Sequence, residues 1–217
     1  MRKVFGSVCA FLFVAGILSV ARAQDSSYGL KAGLNMANLT DEQEEATYEM
    51  KTGVALGGFA VFKVNDNFSI QPELLYTQKG NGIKFSYEEV NFIGFDEFGI
   101  PNYETVTVTE KFKVKLDYIE IPVLAKYLIS PGENVCPFIF GGPSIGILMG
   151  AKVDSEDIKS DCNSLDIGLV LGGGVELESG VSIDLRYDMG MTKVFDFEGG
   201  DNKEKNTVIS LMVGYKL

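Results

Sequence analysis

The sequence predicts an all-β fold, an eight-stranded antiparallel up-and-down transmembrane β-barrel behind an N-terminal signal peptide, and three observations predict it. The first is alternation. In residues 181–192, VSIDLRYDMGMT, Val181, Ile183, Leu185, Tyr187, Met189 and Met191 fall on one face, and Ser182, Asp184, Arg186, Asp188, Gly190 and Thr192 on the other. A period of two belongs to a pleated strand, whose successive side chains leave on opposite sides. The second is the sorting of the connections. Those around residues 64–67, 129–134 and 178–180 are short, and those around 39–51, 80–112, 150–164 and 193–206 are far longer. Short and long alternate strictly, which puts all short turns at one end of the molecule, as in outer-membrane barrels. The third is a common level for aromatic residues. Tyr28, Phe62, Phe68, Tyr127 and Tyr215 all fall at strand ends on the short-turn side, where rings settle at a membrane–water interface, here the periplasmic one.

The elements follow in chain order. Arg2 and Lys3 precede an apolar stretch from Val4 to Val20, and Ala21-Arg22-Ala23 offers a small-x-small cleavage site before Gln24. Residues 1–23 are therefore read as a secretory signal peptide and residues 24–217 as one barrel domain. Cleavage would remove Arg2, Lys3 and Arg22 from the 19 basic residues and none of the 30 acids, leaving a net charge of −14. That balance excludes nucleic acid as a partner, since phosphates demand a basic surface. Beyond Gln24 no uncharged apolar run reaches the roughly 18–20 residues of a spanning helix.

Eight segments read as strands, near residues 27–38, 52–63, 68–79, 113–128, 135–149, 165–177, 181–192 and 207–217. Each exceeds the about 9–11 tilted residues that cross a bilayer. The first sets Gly29, Lys31, Gly33 and Asn35 against Tyr28, Leu30, Ala32, Leu34 and Met36; the sixth sets Asp166, Gly168, Gly172, Gly174 and Glu176 against Leu165, Ile167, Leu169, Leu171 and Val175. Glycine weakens a solvated strand, whereas small residues suit a lumen only wide enough for side chains to fill. The charged face is therefore read as internal. The segments 52–63 and 135–149 are apolar on both faces and leave their facing open. Pro72, Pro122, Pro137 and Pro143 each remove a ladder donor, so local bulges are expected there. Cys136 and Cys162 fall at opposite ends of this topology, too far apart for a disulfide.

The inward charges expected are Lys31, Glu73, Glu120, Lys126, Asp166, Glu176, Asp184, Arg186, Asp188 and Lys216. Unpaired charges are costly in a narrow low-dielectric interior, so these groups must satisfy one another as a lumen charge network. A salt-bridged filling and a polar pathway for a small solute or proton are the two readings of that network. Arg186 is expected to take Glu120 or Glu73, because a guanidinium binds a carboxylate bidentately.

Catalysis finds little foothold. The chain has no histidine, which removes Ser–His and Asp–His arrangements. Asp184 and Asp188 share a face but lie ~13 Å apart along a strand at ~3.3 Å per residue, too far for a close dyad. Zinc sites of the usual kinds are excluded, and no metal or cofactor is expected. Asp41, Glu42, Glu44, Glu45 and Glu49 could attract Ca²⁺ weakly but lack the EF-hand spacing and glycine, and read as a solvated acidic loop.

Above the membrane, Lys111, Lys113, Lys115 and Asp117 share the parity of outward Ile119, Ile121 and Val123, while Phe112, Val114, Leu116 and Tyr118 share the inward parity. Charges on a lipid face cost about 2–4 kcal/mol at the midplane and little near the interface. The strand therefore leaves the hydrocarbon near Asp117. With Thr105, Thr107 and Thr109 alternating before it, the 80–112 segment reads as a protruding β-hairpin. Its lysines either meet lipopolysaccharide phosphates or are simply solvated, and an exposed hairpin could add strands to a protein partner at the extracellular loops.

The segments FSIQPELLY (68–76), LDYIEIPVLAKY (116–127) and FIFGGPSIG (138–146) resemble the PorT-like outer-membrane β-barrel domain family of Gram-negative bacteria, over nearly the whole mature chain. The resemblance implies a small barrel in the cell outer membrane, and prolines within strands belong to its pattern. Its named member is linked to protein secretion, a role that does not transfer on a shared barrel. The C-terminal Tyr215-Lys216-Leu217 is similar to a barrel-insertion signal, with Leu in place of the commoner Phe. The function expected is a non-enzymatic structural or surface-interaction barrel in outer-membrane lipid and lipopolysaccharide. A narrow solute channel or protein-secretion accessory stands second, and a soluble periplasmic lipocalin-like barrel third.

Overall fold

The computed structural model describes residues 26–40, 47–95, 97–132, 134–195 and 204–217. The expected signal peptide and Asp41, Glu42, Glu44 and Glu45 lie outside the described residues. Alternating sequence becomes strand throughout: β1 (Ser26–Thr40), β2 (Thr47–Lys63), β3 (Phe68–Phe95), β4 (Pro101–Leu128), β5 (Val135–Val153), a two-residue β6 (Glu156–Asp157), β7 (Leu165–Leu177), β8 (Val181–Gly190) and β9 (Lys205–Lys216). All pairs are antiparallel. The order β4-β3-β2-β1-β9-β8-β7-β5 is closed by β4 on β5, so the eight long strands form a cylinder with β6 appended to β5.

Closure decides which face looks where. Leu30 is 62% exposed, Leu185 57% and Leu211 53%, whereas Lys31, Asp184 and Arg186 are buried. Apolar side chains stand outside and ionised ones inside, the inverse of a soluble barrel. This overturns the lipocalin-like alternative, because a band of open leucine on every side has no place in water.

The structure also settles β2 and β5. Ala55, Phe59 and Val61 point inward on β2, and Cys136, Phe138, Phe140, Ser144 and Leu148 on β5, while Val54, Leu56, Ile139, Ile147 and Met149 are exposed outside. These strands are apolar on both faces because they place aromatic rings in the lumen. Glycines make the room: a Cβ at Gly29 would lie 2.3 Å from the Phe59 ring, and one at Gly172 2.4 Å from the Phe140 ring.

The prolines do not produce bulges. Irregularities of register fall instead between Met50 and Ala55, Phe92 and Gly94, and Asp117 and Tyr118. At Pro72 the pairs Phe59–Glu73 and Phe62–Ile70 keep one register across a short interruption of pairing. The same holds beside Pro122, between the pairs Pro72–Val123 and Leu75–Glu120, and beside Pro143, between Pro122–Ser144 and Ala125–Gly141. A missing donor opens one neighbour's ladder locally and leaves the other intact, so no residue need be inserted.

The segment expected as a hairpin is one. Beyond the level where β2 and β5 stop, Phe85 to Phe95 pair only with residues from Pro101 to Glu110, in a two-stranded ribbon that stands clear of the barrel. Cys136 sits in β5 near the short turns and Cys162 in the connection after β6, both buried free thiols.

Candidate functional site

The lumen holds three charged layers. Nearest the short turns, the Lys126 Nζ donates to Glu176 Oε2 at 2.7 Å, and Lys216 pairs with the other oxygen of Glu176. These groups line an open vestibule of about 390 Å³, shared with Lys63, Asp66, Ser69 and Cys136.

The middle layer joins β1, β3 and β8. Lys31 Nζ lies 2.9 Å from Glu73 Oε1 and 3.0 Å from Asp184 Oδ2. Arg186 donates from Nη1 to Glu73 Oε2 at 2.9 Å, and from Nε and Nη2 to Asp184 Oδ1 at 3.1 and 3.0 Å. Gln71 Nε2 donates to Glu73 Oε1 at 2.7 Å. Two cations and two carboxylates thus meet in balance. Of the two partners foreseen for Arg186, the carboxylate on β3 is the one it takes.

The upper layer is built on a residue that sequence reasoning missed. Lys79 Nζ lies 2.9 Å from Asp188 Oδ2, 3.2 Å from Glu120 Oε1 and 3.4 Å from Asp166 Oδ2. An ammonium has three donors, and all three are engaged. Asp166 also accepts from Asn206 Nδ2 and Thr192 Oγ1, each at 2.9 Å. Lys79 shares the parity of Glu73 and is the last residue of the segment 68–79 read as a strand, so the alternation taken to its end finds it. The glycine-rich run that follows it, Gly80-Asn81-Gly82, looked like the start of a loop. Asp184 and Asp188 belong to different layers and form no dyad.

Four of the lumen cations also stand over rings. Lys31 lies 5.4 Å from the centroid of Phe59, Lys79 5.5 Å from Tyr118, Lys126 3.9 Å from Phe138, and the Arg186 guanidinium 5.3 Å from Phe140. Such contacts strengthen when desolvated. Above the upper layer an apolar lid closes the long-loop end. Leu39, Val114, Leu116, Tyr118, Leu148 and Ala151 pack with Cys162 and Val194, which fold in from the loops. Between the middle and upper layers the cavity bounded by Glu120, Arg186, Asp188 and Ser210 measures about 10 Å³, the space of one water at most.

Among the aromatics expected at one level, Tyr28, Tyr127 and Tyr215 are exposed on the outer face and Phe68 is half-buried. Phe62 departs from that expectation. It pairs with Ser26 and Ile70 on the outward side, yet it is only 8% exposed. Lys111 and Lys113 are exposed and Lys115 half-buried; on the same outward parity Lys115 lies 3.4 Å from Asp117, which accepts from Tyr76 at 2.8 Å.

Outside the hydrocarbon, the Cys162 thiol and the Tyr87 phenol are perturbed. Burial, with Asp161 and Asp157 nearby, pushes the Cys162 thiol up to about 11. The Glu110 carboxylate beside Tyr87 on the ribbon raises that phenol above its ordinary range. Among the described residues, no group of three or more acids and cysteines is arranged to hold a metal ion.

Several solved structures are similar to this chain. Neisserial surface protein A shares 17% identity, with 89% of this chain and 100% of that one covered, at a TM-score of 0.48. The attachment invasion locus protein Ail of Yersinia pestis shares 13% identity over 89% and 100%, at 0.45, and the outer membrane protein OprG of Pseudomonas aeruginosa 10% over 88% and 94%, at 0.45. No curated protein matches. Residues 22–196 match the sequence profile of a family described as outer membrane protein beta-barrel domain. That profile follows the chain through seven of its eight barrel strands and leaves only β9 beyond it, and the chain therefore belongs to the outer membrane protein β-barrel domain family and resides in the outer membrane.

Proposed function

We propose that this protein is a non-enzymatic, non-conducting barrel that holds a rigid β-ribbon above the outer membrane as a surface for interaction. The observation that carries the reading is the filling of the lumen: stacked ion-pair layers, an apolar lid and an interior cavity of about 10 Å³. A hydrated ion passing through would have to break pairs that are buried on all sides, and breaking one costs about 3–5 kcal/mol. The ribbon is the part of the chain with no task in the barrel. It is exposed along its length and strongly acidic, with Glu88, Glu89, Glu104 and Glu110 among its residues. Residues 1–23 serve in this reading as the export signal. The girdle residues Tyr28, Phe68, Tyr127 and Tyr215 hold the short-turn end at the periplasmic interface.

The likeness of residues 68–76, 116–127 and 138–146 to the PorT-like group supports a second reading, an accessory of protein secretion, in which the open vestibule beside Lys126 and Lys216 meets a periplasmic partner. Planar-bilayer recording of the purified protein tests the first reading: the expected result is a baseline current, and discrete ion-sized steps would overturn it.

A further inference from the structure

At the outer rim of the barrel, just above the hydrocarbon boundary at Asp117, the outward face of β2 to β5 carries a patch that the lumen does not use. Cross-strand register builds it in rows. Lys84 stands opposite Lys111, Gly82 opposite Lys113, and Gly80 opposite Lys115, which in turn stands opposite Lys152 on β5. On the other side of the glycines, Glu49 pairs in register with Gly82 and forms an ion pair with Lys84. Lys51 reaches across β3 to donate from Nζ to the carbonyl of Val114 at 2.9 Å, and it lies within electrostatic reach of Lys113, Lys115 and Asp117.

Gly82, with no side chain of its own, leaves a trough between Glu49 and Lys113. A cavity of about 340 Å³ lies there, bounded by Lys51, Asn81, Gly82, Lys111 and Lys113. Among the described residues, no carboxylate lies within ion-pair distance of Lys51, Lys111 or Lys113. Directly below the lysine rows the same face turns apolar, with Ile121, Ile147 and Met149 exposed.

We propose that this trough binds the phosphate of an outer-leaflet lipid, lipid A of lipopolysaccharide, with Lys51, Lys111 and Lys113 on the phosphate and the acyl chains lying on Ile121, Ile147 and Met149. The proposal rests on the barrel standing in the outer membrane with its long-loop end outward. An anionic head above and hydrocarbon below is the shape of an amphiphile, which separates this ligand from free phosphate. The row extends the three lysines legible in sequence by Lys51, which the irregularity between Met50 and Ala55 brings across β3.

Native mass spectrometry of the full-length protein in detergent, titrated with purified lipid A, dephosphorylated lipid A and inorganic phosphate, tests it. Wild type should bind lipid A at least about tenfold more tightly than the dephosphorylated form, since each lysine near an anionic surface contributes appreciably. The Lys51→Ser/Lys111→Ser/Lys113→Ser variant should lose that preference, and Lys63→Ser, at the opposite end of the barrel, should keep it. Equal binding of the two lipid forms by wild type, or an unchanged preference in a variant that retains heat-modifiable gel mobility, would overturn the proposal. Inorganic phosphate that competes as well as lipid A would overturn the lipid and leave a free-anion site. Resistance of the wild type to carbonate extraction reports separately on its place in the membrane.

Discussion

Arg186 on β8 and Glu73 on β3 face each other across the barrel, Nη1 2.9 Å from Oε2 and Nη2 3.4 Å from Oε1, with 113 positions of chain between them. Oε1 of Glu73 also receives Lys31 and Gln71, so one carboxylate joins β1, β3 and β8. Glu73→Ala should therefore be among the most damaging single changes in the lumen. It leaves two buried cations with Asp184 alone, and a loss of about 3–5 kcal/mol is expected. Urea unfolding in lipid vesicles, followed by gel mobility, measures it, and Glu73→Gln should fall between the variant and wild type.

Lys79→Met should exceed Lys126→Met in its effect. Among the described residues, Lys79 is the single cation within ion-pair distance of Glu120, Asp166 and Asp188, whereas Lys126 shares Glu176 with Lys216 beside an open vestibule. Comparison of the two variants in the same unfolding assay checks the ranking; a smaller effect for Lys79→Met would contradict the layer as described.

The lipid face predicts a contrast between neighbours. Leu185 is exposed on the outer surface and Asp184 is buried inside. Leu185→Arg should cost about 2–4 kcal/mol if its level is the midplane, while Tyr215→Arg, at the interfacial end, should cost about 1 kcal/mol or less.

The thiol of Cys162 is held protonated, pushed up to about 11 by burial and the neighbouring acids. A maleimide should label it negligibly at pH 7, with labelling rising towards pH 11 or on unfolding. The sign for stability follows from linkage. Between the ordinary thiol range and 11 the unfolded chain has released this proton and the native one has kept it, so native stability falls as pH rises through that window. Cys162→Ser should remove that alkaline component of the unfolding curve.

Deletion of Ser86 to Thr109, with a two-residue turn in their place, should leave the barrel's unfolding midpoint unchanged, since those residues pair only with one another. A marked fall would show that the ribbon buttresses the cylinder.

Much of this was legible because alternation reports a two-sided environment directly. Lys31, Asp184 and Arg186 sit between apolar neighbours and could face only one way. β2 and β5 were illegible for the opposite reason. Phe59, Phe138 and Phe140 are apolar but internal, serving as surfaces for the lumen cations, so no polar residue marked the inner side. The prolines are poor markers of bulges because interrupting one ladder is enough to accommodate a lost donor. Phe62 was misjudged because parity fixes a side chain's side of the sheet and says nothing of its cover. The partner of Arg186 depended on the stagger between β3, β4 and β8, which no single strand encodes.

The middle and upper layers draw their members from five strands, and β9 must seat against β1 before the wall around them is continuous. A half-rolled sheet in the bilayer would turn those ions towards acyl tails with their counterparts still distant. Insertion and rolling-up are thereby coupled: the chain gains a stable place in the lipid only once its seam has zipped, and any machinery that threads it must shelter the open edge until then.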